Sequence, residues 1–164
     1  MLCLLAAAAA GCGVFTKSHA VPPGVPENSS DAITDKWSDW LLAPPAAAPA
    51  GCTDTGLATG PVIKGDFDGD GTQDVAVMIT VNGTPHLAVV LSRATAPAVY
   101  ELALPAGGLS QALALHKRGA RYRTATATVD DYLVADTLGT DACGAAGEIW
   151  LWSGDNFKRL PLKH

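Results

Sequence analysis

A mainly β fold, an antiparallel sheet or small sandwich of about seven or eight short strands with one N-terminal amphipathic helix, is what this 164-residue sequence predicts. Three observations point to it. Asn82-Gly83 separates two apolar, β-branched runs, and this dipeptide tolerates the positive φ that a two-residue hairpin turn demands. A second hairpin pattern closes the chain, Glu148-Ile-Trp-Leu-Trp152 and Phe157-Lys-Arg-Leu-Pro-Leu162 around Ser153-Gly-Asp-Asn156. The stretch between them consists of short runs punctuated by Gly and Pro, as β proteins are.

The elements follow in chain order. Leu2 to Ala10 is an apolar run of signal-peptide length, shorter than a membrane span, and it is followed by Ala9-Ala10-Gly11-Cys12. This tetrapeptide resembles the bacterial lipobox, which implies that residues 1–11 are removed and that Cys12 carries a lipid. No Lys or Arg precedes the run, and Ala9 stands where Leu is commonest. Ser18-His-Ala20 offers a competing cleavage site, and either route exports the product. Gly13 is not the Asp that retains many such lipoproteins at the inner membrane, so the expected location is the outer membrane facing the periplasm. A soluble periplasmic or secreted protein is the alternative.

Residues 12–50 read as a tether with a helix inside it. Val21-Pro-Pro-Gly-Val-Pro26 has no periodicity and should be extended. From about residue 31 to 42, Ile33, Trp37, Trp40 and Leu41 fall on one helical face, with Ser30 or Asp31 as cap and Pro44-Pro45 as stop. The expected role is docking of the tryptophans on the β-domain. A membrane-surface helix would want a basic polar face, and this one carries Asp35 and Asp39 beside Lys36.

Residues 51–164 are the expected β-domain. Asp74–Val81 and His86–Ser92 form the central hairpin; Val99–Leu104 alternates weakly and ends at Pro105 and a Gly107-Gly108 turn. Further strands are expected at Leu113 and Leu115, at Tyr122–Val129 and at Tyr132–Ala135, with Lys117-Arg-Gly-Ala-Arg121 as a turn. In the last hairpin, period two sends Trp150 and Trp152 to one face and Ile149 and Leu151 to the other. After Cys3 leaves with the leader and Cys12 takes lipid, Cys52 and Cys143 remain as a pair. In an oxidising compartment their simplest state is a disulfide, contributing up to about 4 kcal/mol on the chain-entropy model. A metal or catalytic thiol fits less well, because neither lies in a Cys-x-x-Cys motif or near a His in sequence.

The most specific segment is Gly65-Asp-Phe-Asp-Gly-Asp-Gly-Thr-Gln-Asp-Val-Ala-Val77. Calcium takes six to eight oxygens at about 2.3–2.6 Å, and a tight loop supplies them from alternate positions. Those slots are Asp66, Asp68, Asp70, Thr72 through its carbonyl, and Asp74, with Gly71 where a sharp turn is needed. An EF-hand would require Glu where Val77 stands, and helices on both sides. The segment resembles a single FG-GAP or VCBS repeat, the loop-then-strand unit of integrin-type propeller blades. That resemblance implies a bound calcium ion. No second copy occurs in the chain, so a propeller is excluded. The arrangement as a whole is similar to small single-repeat bacterial lipoproteins.

Charge and motifs narrow the function. Eleven Lys and Arg stand against sixteen Asp and Glu, a net of −5, and four of the acids are the loop aspartates. Nucleic-acid binding is therefore not expected. A local exception is His116-Lys-Arg-Gly-Ala-Arg-Tyr-Arg123, either a solvated turn or a contact for an anionic headgroup or glycan. No Gly-x-Ser-x-Gly elbow, His-Glu-x-x-His or phosphate-binding glycine loop is present. Asp130, Asp131 and Asp136 read as turn and surface residues. The expectation is a non-enzymatic binding or structural module, held to the membrane by its lipid, with a protein or glycan ligand. An accessory subunit or inhibitor of an envelope enzyme, or a small hydrolase with an unrecognised site, is the alternative.

Overall fold

The computed structural model describes residues 20–45, 57–58, 60–104, 113–140 and 147–163. The leader, Cys12, Cys52, Cys143 and the Gly107-Gly108 turn lie outside the described residues. The fold is mainly β with one helix, as the sequence predicts, and the described strands number twelve, several of only two or three residues. No helix among the described residues is long and apolar enough to cross a membrane.

The helix, α1, spans Glu27–Lys36 and not 31–42. Pro26, with φ −61° and ψ 147°, sets the chain extended just before it, and Glu27 and Lys36 at its two ends complement the helix dipole. Helical geometry ends at Trp37, and Trp40–Leu42 becomes strand β1, paired antiparallel with Ile79–Val81. Tertiary pairing overrides the helical periodicity there, and Leu41, expected on the buried face, points to solvent. The tryptophans nonetheless dock on the β-domain. Trp40 is fully buried and its indole N–H donates to Thr34 Oγ1 at 3.0 Å, whose hydroxyl donates to the Ser30 carbonyl at 2.8 Å. Val25, Ser29 and Ser30 are buried as well, within the stretch expected to be extended.

The first sheet is built on β4 (Asp74–Val81) and β5 (Thr84–Leu91), joined by Asn82 and Gly83 at φ 51° and 78°. Two left-handed residues in succession make the turn that matches strand twist. On its other edge β4 pairs with β1 and then β3 (Val62–Gly65), placed end to end, while β5 continues to β6 (Ala98–Leu102). Period two divides β4 and β5 between two cores. Val75, Val77, Ile79, Ala88 and Val90 meet Ile33 and Trp40 beneath α1. Ala76, Leu87, Val89 and Leu91 meet Leu113, Leu138 and Trp150 of the second sheet. Burial on both faces is why Val75–Val81 reads as a continuous apolar run.

The second sheet runs β12 (Phe157–Pro161), β11 (Glu148–Trp152), β10 (Thr137–Gly139), β7 (Leu113–His116) and β2 (Leu57–Ala58). Its inner face carries Leu138, Trp150 and, at the rim, Trp152 and Phe157 packed with Tyr100 of the first sheet at ring separations of 5.0–5.8 Å. Tyr122–Val129 is not a strand. β8 (Arg121–Tyr122) pairs only with β9 (Asp131–Tyr132), and beyond it Thr124 bridges Leu162 before the chain turns. The Tyr132–Ala135 strand is likewise reduced to β9, the ladder passing instead to Thr137–Gly139. Threonine-rich alternation marked an exposed ribbon here, because no apolar face anchors it.

Candidate metal loop and neighbouring cavities

The acidic loop joins β3 to β4 at one end of the first sheet. Gly65 closes β3 where a Cβ would meet the Phe67 ring at 2.9 Å and Asp136 Oδ2 at 3.1 Å, so only glycine fits without displacement. Phe67 is buried in the inter-sheet core and pins the loop from below. Gly69 and Gly71 adopt φ of 79° and 86°, the left-handed conformation that turns the backbone tightly on either side of Asp70.

Three of the four predicted aspartates come together. One carboxylate oxygen each from Asp66, Asp68 and Asp74 lies within 4.8 Å of the others. A cation bound at about 2.4 Å has a ligand sphere of that diameter. Asp66 Oδ1 is buried and has no hydrogen-bond partner, while its Oδ2 accepts the Gly71 N–H at 3.1 Å. Asp70 stands outside this group: its Oδ1 accepts the Thr72 N–H at 2.6 Å, and both residues are exposed. Asp74 is buried and accepts the amides of Phe67 and Ser92, each at 2.8 Å. Burial, helped by the negative charge of Asp68 and opposed by those amides, raises its pKa to about 6. Hard oxygen donors, a buried carboxylate oxygen with no partner, and mutual repulsion among acids are the chemistry that a divalent cation relieves.

Asp136, expected at the surface, is buried and organises the loop's far side. Its Oδ2 accepts Lys117 Nζ at 2.7 Å and the Asp66 N–H at 3.3 Å, its Oδ1 accepts the Arg118 N–H at 3.0 Å, and its own N–H donates to the Asp66 carbonyl at 2.8 Å. Burial works against the charged form, but Lys117 and the two amides outweigh it and lower the carboxyl pKa. Sequence reading missed this residue because it meets Asp66 across seventy positions. No local motif marks such a contact.

Two cavities open on the outer face of the second sheet. One, of about 250 Å³, runs from Asp68 past Tyr122, Tyr132 and Val134 to Leu151 and Trp152. The Arg93 guanidinium, 3.9 Å from Asp68, lies 5.3 Å from the Trp152 ring and links the loop to this aromatic rim. The other, of about 200 Å³, lies across Tyr122 and is lined by Arg121, Arg123 and Lys163 above Ile149. The chain matches no protein-family model, no curated protein and no solved structure.

Proposed function

We propose that this chain is a calcium-stabilised, non-enzymatic binding or structural module of the cell envelope, with Cys12 as its lipid attachment and Cys52–Cys143 as its disulfide. The observation that carries the reading is the convergence of Asp66, Asp68 and Asp74 on one cation-sized space, with Asp66 Oδ1 buried and unpaired. Asp66, Asp68 and Asp74 would hold the ion, and Asp70 and the Thr72 carbonyl would complete the shell by a local shift of the exposed turn. In this reading the ion neutralises the loop and fixes the β3–β4 connection; no substrate reacts on it. The FG-GAP or VCBS likeness of the loop supports the same role. Tyr132, 62% exposed, and the cavity it shares with Asp68 support recognition of a ligand beside the loop. Exposed aromatic surface of that kind favours a binding module over an enzyme.

The affinity expected is that of extracellular modules, about 0.1–1 mM. Thermal unfolding with calcium against chelator tests it, together with calorimetric titration. A rise in melting temperature that Asp66→Asn abolishes supports the reading. Equal melting temperatures and no heat of binding would overturn it.

A further inference from the structure

The sequence segment 116–123 is cationic in an acidic protein, and the fold gives that charge a destination. Lys117 turns to Asp136 and serves the acidic loop, but Arg121 and Arg123 turn to the 200 Å³ cavity, where Lys163 joins them from the other end of the chain. Backbone pairing holds this meeting in place: the Lys163 N–H donates to the Arg123 carbonyl at 2.8 Å, Leu162 bridges Thr124, and the Leu162 N–H donates to the Gly147 carbonyl at 2.9 Å. The floor is apolar, with Ile149 fully buried beneath.

Asp130 sets the orientation and the net charge. Its two oxygens engage Nε of Arg121, at 3.0 Å, and Nε of Arg123. Both guanidiniums are thereby held beside one carboxylate, and both residues line the cavity. Arg121, Arg123 and Lys163 outnumber Asp130 around the cavity, an excess of positive charge suited to a phosphate, which guanidinium forks recognise in bidentate fashion. A free phosphate would need only the cations. The surroundings add exposed apolar groups: Tyr132 lies directly opposite Arg121 in the ribbon and with Val134 lines the adjoining cavity, and Tyr132, Val129 and Val134 are all largely exposed. Basic residues beside exposed tyrosine and valine are the chemistry of a bilayer interface. We propose that this cavity binds the phosphate of an anionic phospholipid headgroup, so that the β8–β9 ribbon lies against a membrane surface.

The proposal does not depend on the calcium reading, and its test uses other residues. The full chain, with Cys12→Ser to remove lipid attachment, is mixed with vesicles of phosphatidylcholine alone or with a minority of phosphatidic acid. Leader insertion contributes to both, so the readout is the ratio between them. Amide resonances of Arg121–Arg123 and Leu162–Lys163 are followed in parallel during titration with glycerol 3-phosphate. The expected result is preferential binding to the anionic vesicles, resonance shifts confined to those segments, and about a fivefold loss of preference for each of Arg121→Gln and Lys163→Gln. Both substitutions are at exposed side chains, and an unchanged melting temperature confirms that folding is intact. Binding of glycerol 3-phosphate without preference for anionic vesicles would refute the membrane source. A preference that survives both substitutions, or the absence of any localised shift, would refute the site.

Discussion

The two sheets solve the same problem differently. The first is covered on both faces, by α1 on one side and by the second sheet on the other, and most of β4 and β5 is buried. The second packs its inner face on the first and, among the described residues, has a thinner cover on the other. Its outer face is covered by a two-stranded ribbon of four residues, and both cavities open there. Stability is thus concentrated in one half and accessible surface in the other. A core filled to native density has no room for a ligand, and a half-covered sheet does.

The sharpest way to break this contrast is to truncate equivalent apolar groups in the two halves. Trp40→Ala should cost about 3–5 kcal/mol in denaturant unfolding, and Leu87→Ala about 2–5 kcal/mol, since each empties a fully buried volume. Leu151→Ala, on the half-covered face, should cost under about 1.5 kcal/mol. Equal losses would mean that the outer face of the second sheet is packed as tightly as the first sheet. Next in size is Gly65→Ala. The added methyl meets Phe67 and Asp136 together, so a destabilisation of about 1–3 kcal/mol is expected, with weaker calcium binding as its signature.

Calcium itself should act more modestly, adding about 1.4 kcal/mol at a tenfold excess over the dissociation constant. Its pH dependence sharpens the point. Asp74 has a folded pKa near 6, so between about pH 4 and 6 the metal-free native state holds a proton that the unfolded chain has released. Metal-free stability therefore declines as pH rises through that window, and calcium, which replaces the proton, should raise the melting temperature more at pH 7 than at pH 5. Asp136 runs the opposite way. Its lowered pKa means a contribution present above the ordinary aspartate value and lost as pH falls through the folded one, and Lys117→Met should diminish that acid loss. Smallest of all, Val134→Ser should leave stability within about 0.5 kcal/mol, because the side chain is 78% exposed. If it also leaves vesicle preference untouched while Arg121→Gln does not, charge outweighs the exposed apolar groups.

Legibility followed the same division. The β4–β5 hairpin, its Asn82-Gly83 turn, the alternation in Glu148–Trp152 and the aspartate spacing of the loop were all readable, because each is governed by partners close along the chain, across a tight turn. The convergence of Asp66, Asp68 and Asp74 follows from that spacing, whereas Asp70 is turned to its own Thr72 by a contact as local as the motif itself.

What the sequence could not settle was decided by partners far along the chain. Trp40–Leu42 carries a helical pattern but is drawn into a strand by the open edge of β4. Tyr122–Val129 carries a strand pattern but pairs only briefly, at Tyr122 with Asp131 and at Thr124 with Leu162. Asp136 looks like a surface turn until Asp66 and Lys117 close on it, and Arg123 and Lys163 acquire a common cavity only when the last strand returns beside residue 123. Backbone hydrogen bonds and buried charges must be satisfied by whatever lies nearest in space, and nearness in space is a property of the assembled sheets.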